Sequence, residues 1–117
     1  MIAVETWAPI SDFPGYKVSN LGHVFSEKTN KPLSTYVNST GYLYVNLRKD
    51  IEGQNSKNFC VRLHRLVADA HVPGRTPVRN TIDHINENKL DPSAANLRWC
   101  SQQENIQYYW SKRRRQN

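Results

Sequence analysis

The final stretch of about 35 residues constrains the fold more tightly than any other part of the chain. Ile82-Asp83-His84 reads as a short strand, and Leu97-Arg98-Trp99-Cys100 as a second, with an irregular polar loop between them. Ser101-Gln102-Gln103-Glu104 follows at once and matches a capping box. There the serine hydroxyl and the glutamate carboxylate each satisfy a backbone N–H at a helix start. The pattern predicts Ser101 as the N-cap of a helix running to about residue 113. Strand, loop, strand and helix then form a hairpin with a helix packed across it. Ile106, Tyr109, Trp110 and Arg113 fall on one helix face, and Asn105, Tyr108 and Lys112 on another. Trp99 and Trp110 are expected in the core.

Upstream, residues 5 to 26 read as a small β unit. Tyr16 and Val18 alternate with Lys17 and Ser19, and Asn20-Leu21-Gly22 makes a turn into a second extended segment. Trp7, Ile10, Phe13, Tyr16, Val18 and Val24 can form its apolar cluster. Residues 27 to 41 are polar, a basic loop or a surface ribbon. Tyr42 to Arg48 reads as a strand with Leu43, Val45 and Leu47 on one face and Tyr42, Tyr44, Asn46 and Arg48 on the other. Asn58 to Leu63 is its expected partner. Leu63, Leu66, Val67 and Ala70 recur at helical spacing, which predicts a short helix over 63 to 71, stopped by Pro73-Gly74.

Of the 117 residues, 16 are Lys or Arg and 10 are Asp or Glu, a net charge of +6. Lys112, Arg113, Arg114 and Arg115 supply four of those charges, so the remainder is close to neutral. A basic end of this kind suits contact with phosphates, and also suits a simple solubilising terminus. No apolar run approaches the ~18 residues of a membrane span. The first residues lack the pattern of a secretory signal, so a cytoplasmic protein with no membrane partner is expected. Cys60 and Cys100 stand far apart. Two buried free thiols or one disulfide would accommodate them, while a cysteine-held zinc would need more soft ligands.

Asp83 and His84 precede Asn96 by 12 residues from the histidine, and Asn105 follows 9 residues later. The capping box sets Asn105 at the end of the helix's first turn, from where it can point at the end of the first strand. Asp83 and Asn105 would then offer two hard oxygen ligands with open positions, a set suited to Mg²⁺ or Mn²⁺. His84 would be a general base toward water attacking a phosphodiester. Asn96 opens the second strand, where it can hold backbone groups of the hairpin or accept from His84.

At these residues the chain resembles a known family. DHINENKL and NLRWCSQQEN are similar to the HNH endonuclease motif of the phage and homing type, whose fold is the ββα-metal, or His-Me finger, unit. FCVRLHRLVADAHV resembles the segment that leads into it. ETWAPISDFPGYKVSNLGHVFS resembles NUMOD4, a small DNA-binding motif found ahead of such nucleases. The resemblance implies an α+β chain: a NUMOD4-like β unit over 1–50, then a β-hairpin strand, the nuclease unit and a basic tail over 51–117. It implies His84 as general base, Asp83 and Asn105 as ligands of one divalent ion, Asn96 as the structural asparagine, and products with 5′-phosphate and 3′-hydroxyl ends. Double-stranded DNA is the implied partner, and phage origin the implied source. Asp91-Pro92 departs from the family's usual asparagine pair and should stiffen the loop. No helix-turn-helix module follows the nuclease motif before Asn117, so recognition of a long site would need a homodimer or another partner.

Lys17, Lys28, Lys31 and Arg98, with Lys112 to Arg115, are the expected DNA contacts. His64 and Arg65 are expected to support the site, His64 either as a structural histidine or as a phosphate contact. His23 and His71 are expected at the surface. A DNA-binding protein that does not cleave is the alternative reading of the same scaffold.

Overall fold

The computed structural model describes residues 4–53 and 55–115, with side chains as far as Ser111. Three small antiparallel sheets and two helices make an α+β fold. The first sheet has the order β1 (Trp7–Pro9), β2 (Tyr16–Ser19), β3 (Val24–Ser26), β4 (Lys31–Pro32). The second joins β5 (Tyr36–Val37), β6 (Leu43–Lys49) and β7 (Lys57–Arg62), so the polar stretch 27 to 41 is a ribbon carrying two short strands. Helix α1 (Leu63–His71) starts directly from β7. The last unit is β8 (Thr81–His84), a single 3-10 turn, β9 (Leu97–Cys100) and α2 (Gln102–Arg115).

Among the described residues one core joins the three sheets and α1. Val18 and Val24 from the first sheet, Val45 and Leu47 from the second, Leu63 and Val67 from α1, and Leu97 and Trp99 from β9 pack together. Leu63, Leu66 and Val67 are all buried and share one stripe of α1. Burying each is worth about 1.5–3 kcal/mol, which offsets a helix start that has no side-chain cap. The capping box at α2 forms as the sequence predicts: Ser101 N–H donates to Glu104 at 3.0 Å, and Glu104 N–H to the Ser101 hydroxyl at 3.0 Å.

A second seam joins the N-terminal sheet to the loop between β8 and β9. Ala94 N–H donates to the Asn20 carbonyl at 2.7 Å. Gly22, at φ +93°, lies so close to Pro92 that a Cβ on it would stand 2.4 Å from the proline Cγ. The departure at Asp91-Pro92 therefore packs against the turn of the β unit.

Several expectations are corrected. Trp110 is 57% exposed instead of core, because α2 leans on the hairpin through its other side. Cys100 is buried but Cys60 is exposed, and both are free thiols. His71 is half-buried, its ring bonded to the Val18 carbonyl at 2.9 Å, while His23 stays at the surface beside Glu5. Tyr42 lies before β6 and leaves the ribbon face on which Tyr44 and Arg48 remain. Among the described residues no helix is long and apolar enough to cross a membrane.

Candidate active site

Asp83, His84 and Asn105 line one cleft of about 720 Å³ between the β8–β9 hairpin and α2. Neighbours on a strand normally point to opposite faces. Here β8 stops at His84 and the chain turns: Ile85 N–H donates to the Asn96 carbonyl at 2.8 Å, and Glu87, at φ 66°, donates its N–H to the His84 carbonyl at 2.9 Å. The turn brings both side chains to the cleft, where each is more than nine-tenths buried. Asn105 enters from the first turn of α2, its N–H bonded to the Ser101 carbonyl at 2.9 Å.

Arg98 stands directly across from Asp83 in the β8–β9 register. Its Nε and Nη2 reach Asp83 Oδ2 at 2.9 and 2.8 Å. The guanidinium also lies over the Tyr108 ring at 3.7 Å from its centre. Arg98, expected among the DNA contacts, thus holds the orientation of the Asp83 carboxylate while its own side chain stays 37% exposed. Asn96 is buried at the opposite end of the loop. Its Oδ1 accepts from Asn86 N–H at 2.9 Å and its Nδ2 donates to the Asp91 carbonyl at 3.1 Å. Of the two roles open in the sequence, these bonds match the holding of backbone groups.

His64 is buried and, unlike His84, is not among the residues lining the cleft. Its ring meets that of His84 edge-on at 4.9 Å and that of Tyr42 at 5.1 Å. Burial first, then the nearby His84, Arg62 and Arg65, push the His64 imidazole down to about 4. His64 is thus neutral at pH 7 and adds no charge beside His84. Arg65 is occupied elsewhere, donating to the Asn80 carbonyl at 3.1 Å and lying 5.4 Å over Trp99.

Tyr42, Glu87 and Lys89 also line the cleft; the sequence places Tyr42 on a strand face with Tyr44 and Arg48, open to DNA or to packing under the N-terminal unit, and does not single out Glu87 or Lys89. The Lys89 ammonium sits 4.7 Å from the Tyr42 ring centre and 3.4 Å from the Thr40 carbonyl. Tyr42 reaches the site from over 40 positions upstream, and no local spacing pattern spans that gap.

Of the remaining expected DNA contacts, Lys17, Lys28 and Lys31 belong to the N-terminal sheet and its turns. Lys17 lies over Trp7 and Phe25 at 5.5 and 5.1 Å, Lys28 folds its stem along Gly15, and Lys31 is exposed on β4. Lys112 to Arg115 continue α2, and their side chains lie outside the described residues.

The donors fit a hard divalent ion. A carboxylate, Asp83, and a carboxamide, Asn105, line the same cleft, and their oxygens are the ligand type that Mg²⁺ or Mn²⁺ prefers when water and a phosphate complete its shell. Among the described residues no group of three or more His, Cys, Asp or Glu could hold a metal.

This hairpin and helix, with an acid–histidine pair at the end of one strand and an asparagine on the helix, define a ββα nuclease class. The chain belongs to the HNH endonuclease family: residues 61–107 match its HNH endonuclease model, and residues 5–48 match the NUMOD4 motif. An uncharacterized HNH endonuclease of Acanthamoeba polyphaga mimivirus is 42% identical over 108 residues, covering 89% of this chain and 26% of that protein. The DNA endonuclease I-HmuI of Bacillus phage SP01 is 35% identical over 107 residues, covering 91% of this chain and 58% of that one. A solved structure of the HNH homing endonuclease I-HmuI, described as one of DNA binding and cleavage, superposes with a TM-score of 0.74 at 33% identity. It covers 92% of this chain and 59% of that one. The chain therefore spans between about a quarter and three-fifths of the length of these relatives.

Proposed function

We propose that this chain is a divalent-metal-dependent DNA endonuclease that hydrolyses phosphodiester bonds in double-stranded DNA. The observation that carries the reading is the meeting of Asp83, His84 and Asn105 in one cleft. Asp83 and Asn105 would hold one Mg²⁺ or Mn²⁺ ion, which would supply polarisation of the phosphate and offset charge on the leaving oxygen. His84, in its neutral form, takes the proton from the attacking water. Arg98 keeps the Asp83 carboxylate aimed by holding Oδ2. Asn96 keeps the loop after His84 in its turn through the Asn86 and Asp91 backbone groups, a positioning role.

In this reading residues 1–50 form a NUMOD4-like DNA-binding unit and residues 51–117 the nuclease unit. Lys17, Lys28, Lys31 and Lys112 to Arg115 supply phosphate contacts, the last four through a basic helix end. A single site makes a nick, and a homodimer would pair two sites for a double-strand break. The phage and viral sources of the relatives support a phage-encoded protein acting inside a host cell.

The test is supercoiled plasmid incubated with the protein and Mg²⁺ or Mn²⁺. Nicked or linear product, abolished by EDTA, is expected. His84→Ala should lower the rate by at least about 10²-fold while DNA binding persists. A His84→Ala protein that cuts as fast as wild type would remove His84 from the role of base. A wild type that binds DNA and cuts nothing would leave a binding protein on a nuclease scaffold.

A further inference from the structure

Helix α2 leaves three large apolar side chains half open to water: Ile106 at 52%, Tyr109 at 51% and Trp110 at 57% exposure. A surface helix normally turns such residues toward the core. These three instead line the catalytic cleft that Asn105 also lines. Tyr109 and Trp110 meet edge to face at 5.4 Å, so they present one broad surface.

The spacing says what that surface meets. Tyr109 is four residues beyond Asn105, about 6 Å along the helix at ~1.5 Å per residue. Stacked bases follow one another every ~3.4 Å. A phosphate held at Asp83 and Asn105 therefore puts the base step beside it within reach of Tyr109 and Trp110. Beyond them the same helix continues through Lys112 to Arg115, four positive charges in the sequence that favour a polyanionic partner. A protein partner covering the three residues would also plug the groove that holds Asp83 and His84, so the occupant that fits is the DNA itself.

We propose that Ile106, Tyr109 and Trp110 form an apolar wedge that opens the base step beside the cut phosphate. The wedge rests on the endonuclease reading and deepens it, because it assigns cut-site choice to how easily a step unstacks. Apolar side chains pressed between bases kink duplexes in this way, and pyrimidine–purine steps yield most readily. Cuts should therefore concentrate at such steps without any base-edge hydrogen bond from α2.

Two measurements test it. The first is made in EDTA, without cleavage, on the Trp7→Phe protein. Trp7 is 40% exposed and is removed by that change, and Trp99 is buried, so emission that responds to DNA reports on Trp110. Saturation with a duplex of about 30 base pairs should quench that emission, and further Trp110→Phe substitution should abolish the response while the gel shift remains. Duplex that binds without quenching overturns the wedge, as does failure to bind duplex at all.

The second compares cleavage in Mg²⁺ of a fully paired duplex and of the same duplex carrying a mismatch at the cut step. Trp110→Ala should lose at least about tenfold on the paired substrate and return to within about twofold of wild type on the mismatched one. An equal loss on both, or no loss on either, overturns the proposal. Quenching without cleavage would fell the endonuclease reading and leave the wedge. Cleavage without quenching would do the reverse.

Discussion

Replacing Asn96 with alanine isolates what this buried carboxamide does. Asn96 is 7% exposed and spends both ends of its side chain on backbone: Oδ1 accepts from Asn86 N–H at 2.9 Å, and Nδ2 donates to the Asp91 carbonyl at 3.1 Å. Alanine removes both partners and leaves an N–H and a carbonyl in a part-buried loop. Each unsatisfied group costs about 1–3 kcal/mol, less where water enters, which gives roughly 2–4 kcal/mol in all. For a domain of this size that is a fall in Tm on the order of 10 °C. Thermal melting by circular dichroism measures it, and hydrogen exchange locates it, since the Asn86 amide should lose protection. Asp83, Arg98 and Asn105 keep their attachments, so cleavage by the folded variant at low temperature should stay within about tenfold of wild type. A Tm within about 2 °C of wild type, or an unchanged Asn86 exchange rate, would refute the assignment of Asn96 to the loop.

Three further outcomes are expected. His64 titrates at about 4 when folded against an unperturbed 6.5, so between those values the unfolded chain binds a proton that the native state refuses. Stability should thus fall as pH drops below about 6.5 and level off below about 4, by about 2 kcal/mol at pH 5. His64→Phe should shrink the difference in Tm between pH 7 and pH 5, and an undiminished difference would reject His64 as its source. Gly22→Ala combines a left-handed φ with a 2.4 Å approach to Pro92, and should cost about 2–4 kcal/mol in urea unfolding. Adding Pro92→Ala should restore at least ~1 kcal/mol, and strict additivity of the two would argue against the contact. Arg98→Met removes the cation from a buried carboxylate and should lower stability without metal. It should also enlarge the rise in Tm produced by Mg²⁺, because the metal then offsets charge that Arg98 no longer offsets; an equal rise in both proteins would count against Asp83 as a ligand.

Most of the fold was legible because its signals are local. The capping box at Ser101 and Glu104 started α2 where the pattern put it, and the 63, 66, 67 stripe gave α1. Asp83, His84 and Asn105 were legible as a set because one small motif carries them all. What escaped was long-range. The capping box gives the start of α2 but not which face turns inward, so Trp110 looked like core by size and hydrophobicity alone. Arg98 looked like a free cation because its partner emerges only once the β8–β9 register is known. Tyr42 belongs by sequence to the β unit, and only the shared core carries it to His84, with ring centres 5.8 Å apart.

The seam between Gly22 and Pro92, with Ala94 bonded to Asn20, ties the N-terminal β unit to the loop after His84. If, as proposed, the β unit is the grip on duplex DNA and the hairpin with α2 the blade, the distance from grip to cut should be constant from one target to the next. Grafting a different grip onto this nuclease would require transplanting both sides of that joint, the glycine turn and the proline loop, as one cassette.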